Sequence, residues 1–121
     1  MIGELIALLF LSRDVAHREH LKVTGPGSYA AHIALGSFYD EVVDLADSLV
    51  EAYQGRNGII EDIPYLDADK GEVIPVLEQH LKWVEDNRFE AVPKEDTALQ
   101  NIIDEIVGLY LSTLYKLKNL K

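Results

Sequence analysis

The fold is decided by residues 20–53, which read HLKVTGPGSYAAHIALGSFYDEVVDLADSLVEAY. The Gly-Pro-Gly run at residues 25–27 separates two apolar patterns of helical period, and such a run ends a helix and forms a tight turn. The flanking segments therefore predict two helices joined as an antiparallel hairpin. Ser28 is the expected N-cap of the second helix, and Gly55 is the residue expected just past its C-terminus.

Apolar residues spaced by three and four positions predict four helices along the chain. The first hairpin consists of helices over about residues 2–22 and 28–53. The second consists of helices over about residues 72–88 and from residue 97 to the end. Residues 55–70 contain Asn-Gly and proline, and they form a connection long enough to cross from one end of a helical bundle to the other. The expected fold is therefore an all-α four-helix bundle.

The starts of the third and fourth helices carry predictions of their own. Asp69 is expected to cap the third helix, whose first turn tolerates Pro75. Residues 97–100, Thr-Ala-Leu-Gln, have the form of a capping box for the fourth helix. Asp67, Asp69 and Glu78 also match positions 1, 3 and 12 of a calcium-binding loop, but Pro75 interrupts that template, so capping by Asp69 is the preferred interpretation.

Composition limits the classes of function. The chain of 121 residues is long enough for one core, so residues 1–121 are expected to form a single domain. Its formal net charge of −10 repels phosphate backbones, so nucleic acid is not an expected partner. The absence of cysteine excludes disulfides, zinc-thiolate sites and thiol nucleophiles. The apolar run at residues 2–11 contains Glu4 and is followed at once by Arg13 and Asp14, so neither export nor membrane insertion is expected, and the expected location is the cytoplasm.

Two histidines and a row of acids are the candidate metal ligands. His20 and His32 flank the Gly-Pro-Gly turn at nearly equal distances, so an antiparallel hairpin would place them side by side. Acids on the second helix follow at spacings of four, three and four residues, which puts them on one helical face: Asp40, Asp44, Asp47 and Glu51. Imidazole and carboxylate ligands together suit iron, manganese or zinc.

One chain cannot bring these ligands together. His32 precedes Asp47 by 15 residues and Glu51 by 19, which corresponds to roughly 22 and 28 Å along one helix. If two copies of the second helix pack antiparallel about a two-fold axis near residues 40–41, the histidines of one chain meet the acids of the other, twice per dimer. A homodimer or a larger symmetric homo-oligomer is therefore expected.

These motifs resemble those of the Dps-type miniferritins. The matching residues are His20 to Gly25 (HLKVTG), His32 twelve positions after His20, and Asp47 to Glu51 (DSLVE). The resemblance implies a ferritin-like bundle of two antiparallel hairpins joined by a long crossover. It also implies an iron-oxidising site between two-fold-related chains, with His20, His32, Asp47 and Glu51 as metal ligands.

Departures from the family pattern bear on the activity that the resemblance implies. The family has an acidic ligand four residues after the second histidine, where this chain has Gly36, and it usually has an aromatic residue where this chain has Leu21. The ligands that remain suffice for one well-held ion and are too few for a tight pair, so iron oxidation is expected to be slow or absent. No catalytic side chain and no organic cofactor are predicted.

A second interpretation is a ferritin-like protein without catalysis, which has a structural or assembly role and binds a protein partner through its acidic surface. Short ferritin-like chains of unassigned role are encoded by tailed phages, and this chain resembles them in size, which makes a virion component an alternative to a cytoplasmic protein. Gly36 favours the structural interpretation. The joint presence of both histidines, Asp47 and Glu51 favours metal binding.

Several candidate residues also have simpler interpretations. Asp40 and Asp44 are expected to belong to a solvated helix face and not to the site. His17 shares a helical face with His20 and could replace the missing ligand, but a partly exposed surface position is preferred. His80 is expected to occupy a core or interface position.

Overall fold

A computed structural model describes residues 1–68 and 71–121 of the chain, and this part forms four helices and no strand. The helices are α1 (Ile2–His20), α2 (Ser28–Asn57), α3 (Val73–Ala91) and α4 (Thr97–Asn119). The prediction of an all-α chain with four helices is confirmed. Among the described residues, no helix combines the length and the apolar composition needed to span a membrane.

Each helix packs against two of the other three. α1 contacts α2 and α3, and α4 contacts the same two helices, so α1 and α4 lie on one diagonal of a four-helix bundle and α2 and α3 on the other. The apolar stripes of the four helices meet in a shared core. Its largest fully buried side chains are Tyr110, Phe38, Leu5, Ile6, Leu9, Leu35, Leu49, Leu77, Leu99, Ile103, Ile106 and Val42.

The connection between α2 and α3 runs beside α1. It passes the N-terminal end of α1 at Gly3, where only glycine permits the approach, since a Cβ at this position would lie 2.0 Å from the Asp62 carbonyl oxygen. Residues 63–66 then border the middle of α1, and Gly71 borders its C-terminal part. The chain thus travels the length of α1 before α3 begins.

Both ends of α2 differ from the prediction. The N-cap is Gly27, with a left-handed φ of 82°, and Ser28 is the first helical residue and makes no side-chain capping bond. A left-handed backbone favours glycine over serine, so the turn and not the hydroxyl sets where the helix begins. The helix also continues past Gly55 to Asn57, and Gly58, with a φ of 91°, ends it.

The predicted capping box at the start of α4 is also wrong. Asp96 is the N-cap, and its carboxylate accepts a hydrogen bond from the backbone N–H of Leu99 at 3.3 Å. The same carboxylate forms an ion pair with Arg56 of α2 at 2.8 Å. Thr97 is therefore the first helical residue, and the Gln100 side chain donates to the carbonyl of Val92 instead of returning to the helix start.

The start of α3 is only partly open to comparison. Its N-cap is Glu72, which makes no side-chain capping bond, and Pro75 lies in the first turn, as predicted. Asp69, the residue expected to cap this helix, lies outside the described residues.

A polar network crosses the core. The Ser12 hydroxyl of α1 is hydrogen bonded to Nδ1 of His80 in α3 at 2.7 Å and to the Tyr110 hydroxyl of α4 at 2.5 Å. Ser12 and Tyr110 are fully buried, and His80 is 3% exposed. The Phe38 ring of α2 packs on Tyr110 with the ring centroids 5.2 Å apart. The hydrogen bonds therefore join α1, α3 and α4, the ring contact adds α2, and His80 lies in the core as predicted.

Replacing Ser12 with alanine should destabilise the fold. The substitution removes the hydroxyl that both Tyr110 and His80 bond in a buried site, and the loss of such a partner costs about 1–3 kcal/mol. Urea unfolding followed by circular dichroism measures this change. Ser112→Ala, at an exposed position of α4, is the control and should stay within about 0.5 kcal/mol of the wild type. Equal stability of the two variants would show that the network does not contribute this free energy to folding.

Stability should also fall at alkaline pH because of Tyr110. Burial raises the pKa of Tyr110, and the hydrogen bond with Ser12 only partly opposes this rise. An unfolded tyrosine ionises at about pH 10, so the folded phenol contributes stability that is complete below that pH and is lost as the pH rises further. The free energy of unfolding of the wild type should therefore fall more steeply above about pH 10 than that of Tyr110→Phe. Parallel pH profiles of the two proteins would refute this assignment.

Candidate metal site

The α1–α2 hairpin brings His20 and His32 together. The His20 ring donates from Nδ1 to the backbone carbonyl of His32 at 2.8 Å, and the His32 ring donates from Nδ1 to the carbonyl of His20 at 2.9 Å. The two imidazoles stack with their centroids 3.7 Å apart and their planes 19° from parallel. Each histidine thus holds the backbone of the other.

These hydrogen bonds decide where the ring protons lie. A carbonyl oxygen only accepts, so Nδ1 carries the proton in both rings, and a neutral imidazole of this form keeps its lone pair on Nε2. Neither Nε2 is bonded to a described residue, and no buried side-chain nitrogen or oxygen in that part of the chain lacks a partner, so both Nε2 atoms reach solvent. Metal-binding histidines are oriented in the same way, with the second ring nitrogen donating to a carbonyl or carboxylate.

Gly36 makes room for the stacked rings. A Cβ on this residue would lie 3.3 Å from Cε1 and 3.4 Å from Nδ1 of His20, which is tighter than ordinary contact. An acidic side chain at this position, as in the Dps-type pattern, would compete with the His20 ring for the same space. Gly36 therefore lacks the acidic side chain of the Dps-type pattern and permits the observed placement of the His20 ring.

Two further rings extend the stack along the hairpin. His17 stacks on Tyr39 with the centroids 4.3 Å apart, and Tyr39 meets the edge of His20 at 5.3 Å. All four rings of this aromatic row (His32, His20, Tyr39 and His17) are half-buried. Tyr39 was not predicted to lie beside the histidines. Its position seven residues after His32, two helical turns along the same face, could have indicated this.

The acids of α2 lie apart from the histidines. Asp47 and Glu51 are exposed, as are Asp40 and Asp44, and none of the four forms an ion pair with a described residue. Within residues 1–68 and 71–121 of one chain, no three histidine or acidic side chains are close enough to hold a metal ion. The structure therefore brings together the two predicted histidines and leaves the two predicted acids on the surface.

Residues 20–117 match the model of a family of unknown function, DUF5856. The chain belongs to this family. The match begins at His20 and includes His32, Asp47 and Glu51, so all four candidate ligands lie within it. Comparison with curated proteins and with solved structures gives no match.

Alanine at position 36 should disturb the imidazole stack. A glycine-to-alanine change inside a helix normally stabilises it by about 0.5–1 kcal/mol. In Gly36→Ala the His20 ring has to move, so this gain should be cancelled and the imidazole NMR resonances of His20 and His32 should shift. Gly55→Ala in the same helix, where nothing lies within 4 Å of the added Cβ, should show the full gain with unchanged histidine resonances. The same behaviour of both variants would show that the stack does not need glycine.

Proposed function

We propose that this chain is a ferritin-like protein of the miniferritin kind that binds a divalent metal between two-fold-related copies of itself. The observation that carries the proposal is the placement of the ring protons of His20 and His32, because both Nδ1 atoms donate to backbone carbonyls and both Nε2 lone pairs remain open to solvent. Each imidazole held in this way offers one nitrogen ligand to a borderline metal such as iron or zinc.

The course of the chain supports the ferritin-like part of the proposal. α1 and α2 are joined by the short turn at residues 21–27, and α3 and α4 by the short turn at residues 92–96, so each pair is an antiparallel hairpin. The connection between the hairpins follows α1 from end to end. This order of helices and the single long crossover are those expected of a ferritin-like bundle.

The carboxylate ligands have to come from a second chain. On the same helix as His32, Asp47 and Glu51 lie roughly 22 and 28 Å away, which is beyond the reach of any shared ion. Both acids are exposed and free of ion pairs with described residues, so they are available to a neighbour. An antiparallel pair of α2 helices with its two-fold axis near Asp40 would place these acids opposite the histidines of the mate.

The stacked arrangement limits the chemistry of the site. The two rings are nearly parallel, so their in-plane Nε2 lone pairs do not converge on one point. In the observed rotamers each imidazole therefore supplies one ligand to an ion of its own, and joint ligation of one ion requires a ring to turn out of the stack. With no acid at Gly36, ligands for a closely spaced pair are incomplete, and we expect oxidation of an iron substrate to be slow or absent.

A second candidate function is structural. It is favoured by the contacts that His20 and His32 already make with each other. The two Nδ1 hydrogen bonds and the ring stack join α1 to α2 without any metal. The exposed acids of α2 would then bind a basic surface of a protein partner, in an assembly or virion role. Under this alternative, loss of Asp47 weakens partner binding and has no effect on metal content.

The metal proposal predicts that Asp47→Asn weakens binding. Equilibrium dialysis with Zn(II) or Fe(II) should show metal bound to the wild type. The affinity of the variant should be at least about tenfold lower, because a side chain that binds the metal directly is lost. Asp86→Asn is the matched control, since it removes the same charge from α3, where Asp86 forms an exposed ion pair with Lys82. Equal binding by all three proteins would reject the metal site.

Mixed dimers test whether the site lies between chains. His32→Gln and Asp47→Asn should each bind weakly alone, whereas refolding them together should restore metal binding in part, since each mixed dimer has one site with both native ligands. Light scattering on the same samples should give a mass above the 13.6 kDa of one chain. Failure of the mixture to regain binding, with dimers present, would place the site within one chain or nowhere.

A further inference from the structure

We propose that a groove between α2 and α4, distinct from the histidine pair, binds an alkylammonium group such as that of a polyamine. The groove is open to solvent and has a volume of about 510 Å³, which is within the usual range of small-molecule sites. Its walls consist of residues from the two helices: Ser37, Glu41, Asp44, Leu45, Glu105, Gly108, Leu109, Ser112, Thr113 and Lys116.

Thr113 is the first sign that the groove receives a ligand. The residue is only 3% exposed, yet its hydroxyl forms no hydrogen bond with any described residue. Since no fully buried side-chain oxygen or nitrogen in the described part is without a partner, the small exposed part of this side chain has to include the hydroxyl, which opens onto the groove it lines. A nearly buried hydroxyl without a protein partner is expected to bond something in the groove.

Gly108 is the second sign. It lies in the interior of α4, where glycine costs about 0.5–1 kcal/mol relative to alanine. Its backbone is not in the left-handed region, and a Cβ added to it would meet nothing within 4 Å. Neither the backbone conformation nor the packing around Gly108 therefore requires glycine. The missing side chain widens the groove.

The charges of the lining identify the chemistry of the ligand. Glu41, Asp44 and Glu105 form no ion pair with any described residue, and Lys116, at one end, is the single cation of the lining. The excess of negative charge favours a cation over an anion. Hydroxyl and carboxylate oxygens accept hydrogen bonds from an ammonium group, and Leu45 and Leu109 offer apolar contact to a hydrocarbon chain.

Spermidine is the probe for this site, titrated calorimetrically into the wild-type protein at physiological salt. Gly108→Leu should weaken binding by at least about tenfold because the new side chain occupies the groove. The fold should be kept, since leucine is a better helix former than glycine and the added Cβ meets no atom. Gly55→Leu is the matched control, because Gly55 is also helical and open but lies outside the groove, and it should bind spermidine like the wild type.

Two further measurements complete the test. A short uncharged peptide with one central lysine shows the source of the ammonium group: tighter binding of the peptide assigns the groove to a protein lysine, and tighter binding of spermidine assigns it to a free polyamine. Binding should also survive His32→Gln, so failure of the metal proposal leaves this one standing. Absence of spermidine binding, or equal binding by Gly108→Leu and Gly55→Leu, would overturn it.

Discussion

The hydrogen bond between Ser12 and Tyr110 is the interaction on which the interior of the bundle depends. These residues belong to α1 and α4, the two helices of one diagonal, which reach each other only through side chains. The phenol is fully buried in the core, and its oxygen is hydrogen bonded there to a small hydroxyl that His80 also bonds. Because buried polar groups are costly when unpaired, this contact allows little sliding of α1, α3 and α4 past one another.

The same constraint extends to the histidine pair. His20 follows Ser12 by eight residues on α1, or roughly 12 Å, so fixing Ser12 in the core also fixes the height of His20 at the hairpin end. On α2, the buried Phe38 packs on Tyr110 and lies between His32 and Asp47 in the sequence. Core packing therefore sets the heights of the histidines and of Asp47 along the bundle.

The helices could be predicted from sequence because burial in this bundle follows the helical period closely. Leu35, Phe38 and Val42 of α2, for example, are all fully buried. The helix starts could not be predicted, because Ser28 and Thr97 are plausible caps by residue type alone. The left-handed turn at Gly27 and the ion pair between Asp96 and Arg56 determine which of two adjacent residues is the N-cap. Both features depend on the tertiary fold.

For the site, symmetry about the turn was enough to predict that His20 and His32 lie side by side, because a short hairpin leaves few alternatives. Reciprocal bonding to backbone carbonyls has no sequence pattern, and neither has the need for glycine opposite the His20 ring. The bonds of Ser12 to His80 and Tyr110 join residues 68 and 98 positions apart, so no local spacing could indicate them. The part played by Asp47 and Glu51 depends on a second chain and stays a prediction.

The reciprocal pair of His20 and His32 also has a consequence for the order of folding. Its members are 12 residues apart, so closing this loop costs little chain entropy, whereas the bond between Ser12 and Tyr110 has to wait for nearly the whole chain to collapse. The hairpin with its stacked imidazoles should therefore form early, before the interior of the bundle is complete. Both histidines precede α4 in the chain, so the nascent polypeptide would hold them in place before α4 has been synthesised.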